Sequence, residues 1–495
     1  MRFTETRCVV DESSKVLQAP ARADWLSRLL MNQPSTEDTA SSPLKQSHFW
    51  IFFLLIALLG IALRVIPSAA FRTVGFDEIL YRRYVYMMDG GEQMVPVFQK
   101  GGALKGATMT INGSGASAVA PMSEFFLQTQ AMPSTECELP PTRFLYIYTS
   151  WLWKRIQFGD APPLEFKELN RKPVDDDRSL DPDHRDPALV SLHNVACAFS
   201  VLLLIASGLF AWRMLGQVAA LGVLALMAGD PVQLHFSQHA LIDGFFMFWA
   251  LMCLWTTWEN LRNPNRLGWL LLHGICLALM VMTKENSFFV YIALAILAVM
   301  NRWMKWGQLT PRFLAASVLG PLAGVLILMA IAGGPGQFVE IYKVLVSKAQ
   351  GLVYAQVTGD GPWYRYLIDL MIVSPIILCL ALGGMFRLSG TRKEYSFLCW
   401  FVVLSYAIMC NIKYGMNLRY ASIWEFSLRV MAFAMIWNMA GYFKRQAFVA
   451  VLLTTGLFAY EFRQFQILAM NPANPLYELA PSQTLRLIKV IKDTP

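Results

Sequence analysis

A few polar residues stand out in an otherwise apolar chain. Asp77 and Glu78 sit side by side in "RTVGFDEILYRRYV", directly after the first long apolar run. Glu138 precedes a Pro-Pro pair in "ELPPTRFLYIY". "HFSQHALID" places His235, His239 and Asp243 at i, i+4 and i+8, Lys284 lies in "TKENS", and "KYGMNLRY" holds Lys413, Arg419 and Tyr420. A carboxylate in such a position can take a proton from a hydroxyl. Lysine and arginine can hold a phosphate and stabilise the charge on a departing one. A histidine pair at i and i+4 on one helix, completed by a carboxylate, can chelate a divalent metal ion.

Each feature also has a plainer reading. Acids at 77 and 78 suit a helix N-terminus, where each contributes about 0.3–1 kcal/mol, and Glu78 is spaced to pair with Arg82 at i+4. The histidines can simply hydrogen-bond to neighbouring helices. Asp243 differs, because an acid beside "GFFMFWALMCLW" is costly to bury and such residues tend to be functional.

The elements that position these residues are set by the apolar pattern. The chain has 495 residues, 55% hydrophobic and 15% charged, against roughly 25% charged in soluble domains. The mean hydropathy is +0.41. Apolar runs of about 15–20 residues match a bilayer core about 30 Å thick. The reading is an all-α polytopic membrane protein of about eleven spans, near 48–66, 188–211, 215–230, 241–258, 267–283, 287–300, 313–332, 367–386, 396–411, 421–442 and 446–462. The weakest are the run at 267–300, broken only by "TKENS", and 421–442, which carries Glu425 and Arg429.

The net charge of +8 does not indicate nucleic acid, because the basic residues fall in short gaps between spans. Arg213, Arg262, Arg266, Arg302, Lys305, Arg387 and Lys444 mark one set of gaps as cytoplasmic under the positive-inside rule. The tail of residues 1–47 is then cytoplasmic, the loop 67–187 and the tail 463–495 extracytoplasmic, and 48–462 the membrane domain. All the candidate residues fall on the outer side. Six of the eight cysteines lie in apolar runs, and no metal or disulfide spacing is visible among them. No signal-peptide pattern opens the sequence.

Within the large loop, "EILYRRYVYMM" reads as a helix in the headgroup layer, with Arg82, Arg83 and Tyr86 on its polar arc. Residues 143–156 read as a second interfacial helix, rich in Trp and Tyr. The Gly/Ala/Ser-rich stretch between them and the acidic "RKPVDDDRSLDPDHRDP" read as flexible insertions.

Taken in order, "GFDE", "ELPPTRFLYIY", "HALIDGFFMFWAL" and "NLRYASIW" resemble the GT-C glycosyltransferases, in the branch of protein O-mannosyltransferases and aminoarabinose transferases. The resemblance spans about residues 48–440. The gap between "FDE" and "PP" is longer than in that family. The resemblance implies a polyprenyl-phosphate-linked sugar donor, a lipid, glycan or protein acceptor, and transfer to an acceptor hydroxyl with inversion, in a bacterial inner or plasma membrane. It casts Asp77 as catalytic base, Glu78 as its neighbour in the catalytic pair and Asp243 as the second acid. Arg419 becomes a donor-phosphate contact, and Lys284, Lys413 and Tyr420 line the substrate site. Glu138, with His239 and Asp243, is the place for a divalent metal ion. The alternatives are a lipid-linked sugar transporter or flippase, for which Glu425 and Arg429 within a span are the best support, and a polysaccharide polymerase or ligase.

Overall fold

The computed structural model describes residues 45–66, 76–88, 108–110, 119–121, 143–161, 186–336, 338–339, 342–343, 361–412 and 416–469. Helices fall where the apolar runs do. The first, α1 (Gln46–Val65), is followed by the two loop helices α2 (Phe76–Met87) and α3 (Phe144–Phe158). The bundle continues with α4 (Pro187–Leu215), α5 (Gln217–Ala228), α6 (Pro231–Gln238), α7 (Ile242–Arg262), α8 (Leu267–Val281), α9 (Ser287–Met304) and α10 (Pro311–Ile331). It closes with α11 (Arg365–Val373), α12 (Pro375–Leu388), α13 (Lys393–Met409), the short α14 (Leu418–Ala421), α15 (Glu425–Ala440) and α16 (Gln446–Leu468). Within the Gly/Ala/Ser-rich stretch, β1 (Thr108–Thr110) and β2 (Val119–Pro121) pair antiparallel, with Met109 opposite Ala120.

The chain is a helical, polytopic membrane protein. Among the described residues, four helices (α1, α4, α9 and α10) are long and apolar enough to cross a bilayer, or five if the bent pair α5–α6 is one span. Their outward side chains are apolar: Ile51, Leu54, Leu55 and Leu58 on α1 are exposed, as are Val318, Leu319 and Leu322 on α10. Between helices, small residues permit close approach. A Cβ on Gly320 of α10 would come within 2.5 Å of the Gly274 carbonyl on α8, and one on Gly384 of α12 within 2.6 Å of the Met431 carbonyl on α15.

Breaks follow local chemistry. Pro187, Pro231 and Pro375 each occupy the first turn of a helix, where a missing N–H costs nothing. Asp186 caps α4 through Ala188 N and Leu189 N, and Asp230 caps α6 through Val232 N and Gln233 N. The α5–α6 pair bends by 55° at this second cap. Residues 282–286 do separate α8 from α9, so "TKENS" is a real turn.

One expectation fails. The arc of α2 that should face water is buried: Arg82 is 4% and Tyr86 3% exposed. Arg82 Nε donates to Asp186 Oδ2 at 2.8 Å and the Tyr86 hydroxyl to the same oxygen at 3.2 Å. A partner 104 residues away turns a solvent face into an internal one. Helix α2 is thus wedged among α3, α4 and α7, with Tyr81 and Val85 wholly buried on its other side.

A second polar cluster lies inside the bundle. Arg429 of α15 pairs with Glu425 one turn earlier, with Asp230 Oδ1 at 3.1 Å and with Glu461 Oε2 of α16 at 3.1 Å, and donates from Nε to the Leu226 carbonyl. Arg64 of α1 reaches the same helix end, donating to the Met227 carbonyl at 3.0 Å and to Ser200 Oγ at 3.0 Å. The two guanidiniums satisfy the last carbonyls of α5, which have no partners within their own helix. Glu425 and Arg429 thus belong to a joint that draws on α1, α4, α5, α15, α16 and the Asp230 cap of α6.

Candidate functional site

Four elements deliver charge to one point at the end of the bundle that the sequence reading puts outside. The first turn of α2 presents Asp77 and Glu78, the first turn of α7 presents Asp243, the 282–286 turn carries Lys284, and α14 carries Arg419. Arg419 bridges the two aspartates. Its Nη1 donates to Asp77 Oδ2 at 2.5 Å, and its Nε and Nη2 lie 2.7 and 2.5 Å from Asp243 Oδ2. Lys284 Nζ donates to the other oxygen, Asp243 Oδ1, at 2.6 Å. The ammonium also sits 4.7 Å from the centre of the Tyr420 ring. The short α14 is fixed by Asn417, whose Oδ1 accepts from Arg419 N.

Exposure divides these groups. The Asp243 and Lys284 side chains are 1% and 3% exposed, whereas Asp77 is 20% and Arg419 11% exposed. The open side of the cluster is therefore Asp77 and Arg419. Burial pushes the Asp77 carboxyl up, but Arg419 and Arg143 outweigh it and hold the group below the ordinary carboxylate range, so it is ionised. Burial pushes Lys284 down, and Asp243 only partly restores it. Burial pushes the Tyr420 phenol up to about 12.

Glu78 has a separate role. Its Oε1 accepts the Ala240 backbone N–H at 2.6 Å and lies 3.7 Å from His239 Nδ1. Here the helical stripe expected of His235, His239 and Asp243 breaks. Helix α6 stops at Gln238, and His239 is extended at φ −118° and ψ 152°. The break frees the Ala240 N–H in a buried place, and Glu78 satisfies it. The two imidazoles end with centroids 4.4 Å apart, but Asp243 belongs to the next helix and turns to Arg419 and Lys284.

Of the expected metal trio, His239 lies against Glu78, and Asp243 is bonded to Arg419 and Lys284. Among the described residues, no group of three His, Cys, Asp or Glu is placed to hold a metal ion. Both Asp243 oxygens are already taken by cations. Glu138 and Lys413 lie outside the described residues.

Sequence reasoning missed Arg143. It follows the Pro-Pro element by two residues and opens α3 with φ +63°, a left-handed conformation unusual for a residue with a side chain. Its guanidinium carbon lies 5.2 Å from the centre of the Tyr81 ring, one helical turn beyond Asp77. A basic residue just after Pro-Pro at a helix start was the available signal.

Residues 188–333, which run from α4 to just past α10 and include Asp243 and Lys284, match the family model of dolichyl-phosphate-mannose-protein mannosyltransferases. No curated protein matches the chain. Among solved structures, the archaeal oligosaccharyltransferase AglB from Archaeoglobus fulgidus, in complex with an inhibitory peptide and a dolichol-phosphate, is similar at 12% identity and a TM-score of 0.50, over 90% of this chain and 56% of that one. The apo form of the same oligosaccharyltransferase gives 12% and 0.50 over 89% and 56%. ArnT from Cupriavidus metallidurans bound to undecaprenyl phosphate is similar at 10% and 0.49, over 90% and 77%. The likeness to the oligosaccharyltransferase is one of fold, and the family model matches less than a third of the chain, the stretch that carries Asp243 and Lys284.

Proposed function

We propose that this chain is a GT-C type glycosyltransferase that transfers a sugar from a polyprenyl-phosphate-linked donor to an acceptor hydroxyl, inverting the anomeric carbon, on the extracytoplasmic face of a bacterial plasma membrane. The observation that carries the reading is the sharing of one guanidinium, Arg419, by two carboxylates at the open end of the bundle. The acceptor is a lipid, glycan or protein hydroxyl.

In this scheme the donor phosphate competes with Asp77 for Arg419. As its oxygens take up the guanidinium, Asp77 loses its main counter-charge and becomes a better base. The acceptor oxygen then attacks the anomeric carbon from the side opposite the phosphate. The new C–O bond forms as the bond to phosphate breaks, the electron pair leaves with the polyprenyl phosphate, and the acceptor proton passes to Asp77. Arg419 and Lys284 stabilise the departing phosphate, and Tyr420 fixes the lysine. Asp243 stays ionised throughout and keeps both cations aimed at one place. Lys413 is a further candidate for the phosphate. No step passes through a metal ion, and Glu138 with His239 is the place to look for one.

The test is turnover of a synthetic polyprenyl-phosphate sugar by the purified chain in proteoliposomes, with the product's anomeric configuration read by NMR. The lipid-linked intermediates that accumulate on deletion identify the donor. Asp77→Asn keeps the shape and removes the basicity, so turnover falls by about 10²-fold or more while donor binding persists. Full activity of both Asp77→Asn and Glu78→Gln overturns the proposal.

A further inference from the structure

Arg143 is the third cation of the site, within electrostatic reach of Asp77 and Glu285. Lys284 is bonded to Asp243, and Arg419 to Asp77 and Asp243. Arg143 has no ion pair among the described residues, and its Nε is buried without a hydrogen-bond partner. Its packing contact is the face of Tyr81, and the Nε–H is left without an acceptor.

The placement is not incidental. Leu145 N donates to the Met282 carbonyl at 3.0 Å, tying the start of α3 to the turn that carries Lys284. Tyr81 lies at i+4 to Asp77 on α2, so the ring under Arg143 shares a helix face with that carboxylate. The backbone of Arg143 is held in a left-handed conformation that glycine would adopt without strain. Such strain persists where the surroundings enforce it, and it concentrates at binding sites. A permanently charged fork beside Asp77, with an unused donor, has the chemistry to receive a phosphate in bidentate fashion.

We propose that Arg143 is a phosphate-binding residue that docks the anionic headgroup of the donor beside Asp77, before or together with its contact to Arg419. The inference rests on the lipid-phosphate-donor reading above. The recognised chemistry is a phosphate monoester or diester, carried on a lipid or free in solution.

The experiment titrates undecaprenyl phosphate, and separately inorganic phosphate, into the purified full chain in nanodiscs, with undecaprenol as the uncharged control. Arg143→Gly removes the guanidinium and relaxes the backbone, so the variant should melt no lower than wild type. Its affinity for undecaprenyl phosphate should fall by about tenfold or more. Arg143→Lys should recover part of the loss, because the charge returns without the fork. Undecaprenol binding should not change. Undecaprenyl phosphate bound equally by wild type and Arg143→Gly overturns the assignment while the donor reading stands. Binding of inorganic phosphate that depends on Arg143, without binding of the lipid phosphate, keeps the anion site and removes the lipid donor. A wild type that binds neither removes both.

Discussion

Asp243→Asn is the sharpest test of the charge cluster. Asp243 accepts charge-assisted contacts at 2.5, 2.6 and 2.7 Å from two cations, at 1% side-chain exposure. Removing one partner of a buried ion pair costs about 3–5 kcal/mol, because the other charge stays buried without compensation. Asparagine keeps one acceptor oxygen, so the loss should lie near the lower bound, about 3 kcal/mol. Lys284→Met breaks a single bond and leaves Asp243 held by Arg419, so about 1.5–3 kcal/mol is expected. In the double variant the lysine that suffers from the missing carboxylate is absent. The combined loss should therefore stay close to that of Asp243→Asn alone, with a coupling of about 1.5–3 kcal/mol. Lys284 already lies below its ordinary value of 10.5 in the folded protein, so between the two values the unfolded chain binds more protons and stability rises with pH. Without Asp243 that window extends to lower pH, so the Asp243→Asn deficit should shrink as pH rises from neutral toward 10.5. Denaturant titrations in mixed micelles across this range measure all three variants. Additive losses, or a deficit that does not change with pH, would refute the reasoning.

Other expectations follow from the same geometry. Glu78→Gln retains an acceptor for the Ala240 N–H and should leave turnover within a few-fold of wild type, while Glu78→Ala leaves that donor buried and costs about 1–3 kcal/mol in the same unfolding assay. Arg419→Ala should weaken donor binding in a lipid-phosphate titration, and Arg419→Lys should restore only part; unchanged affinity in Arg419→Ala removes its phosphate role. Because Asp77 is held below 3.8 in the free protein, the pH profile of kcat/KM should show no acid limb from this group at or above that value. Activity after exhaustive chelation measures metal dependence, and full activity leaves the base mechanism untouched while removing any ion at Glu138.

The sequence carried the helices and the site acids, because both are written in local patterns. Apolar run length is a property of contiguous residues, and so is an acid placed at the end of a run. What escaped depended on distant partners. Nothing around Arg82 announces Asp186, so its arc looked solvent-facing. His239 carries no glycine or proline to stop a helix, and α6 ends there with Glu78, 162 residues upstream in the chain, taking the freed N–H. Arg419 was legible as a phosphate contact, but not as the bridge between Asp77 and Asp243, which it spans across 342 and 176 residues. Arg143 was overlooked because left-handed backbone is not expected of arginine.

The joint around Arg64 and Arg429 has a consequence for biogenesis. The first helix leaves the insertion machinery with an arginine near its trailing end, and the Met227 carbonyl that will receive it is 163 residues from being synthesised. Arg429 in turn needs Glu461, 32 residues later on α16. A nascent chain therefore holds buried charge in suspense until α16 arrives. Loss of α16 would leave Arg429 without one of its carboxylates in a low-dielectric interior, and membrane quality control would see a half-neutralised chain. Stability of the early helices is thereby coupled to the arrival of α16, with Arg64 and Arg429 meeting at the end of α5.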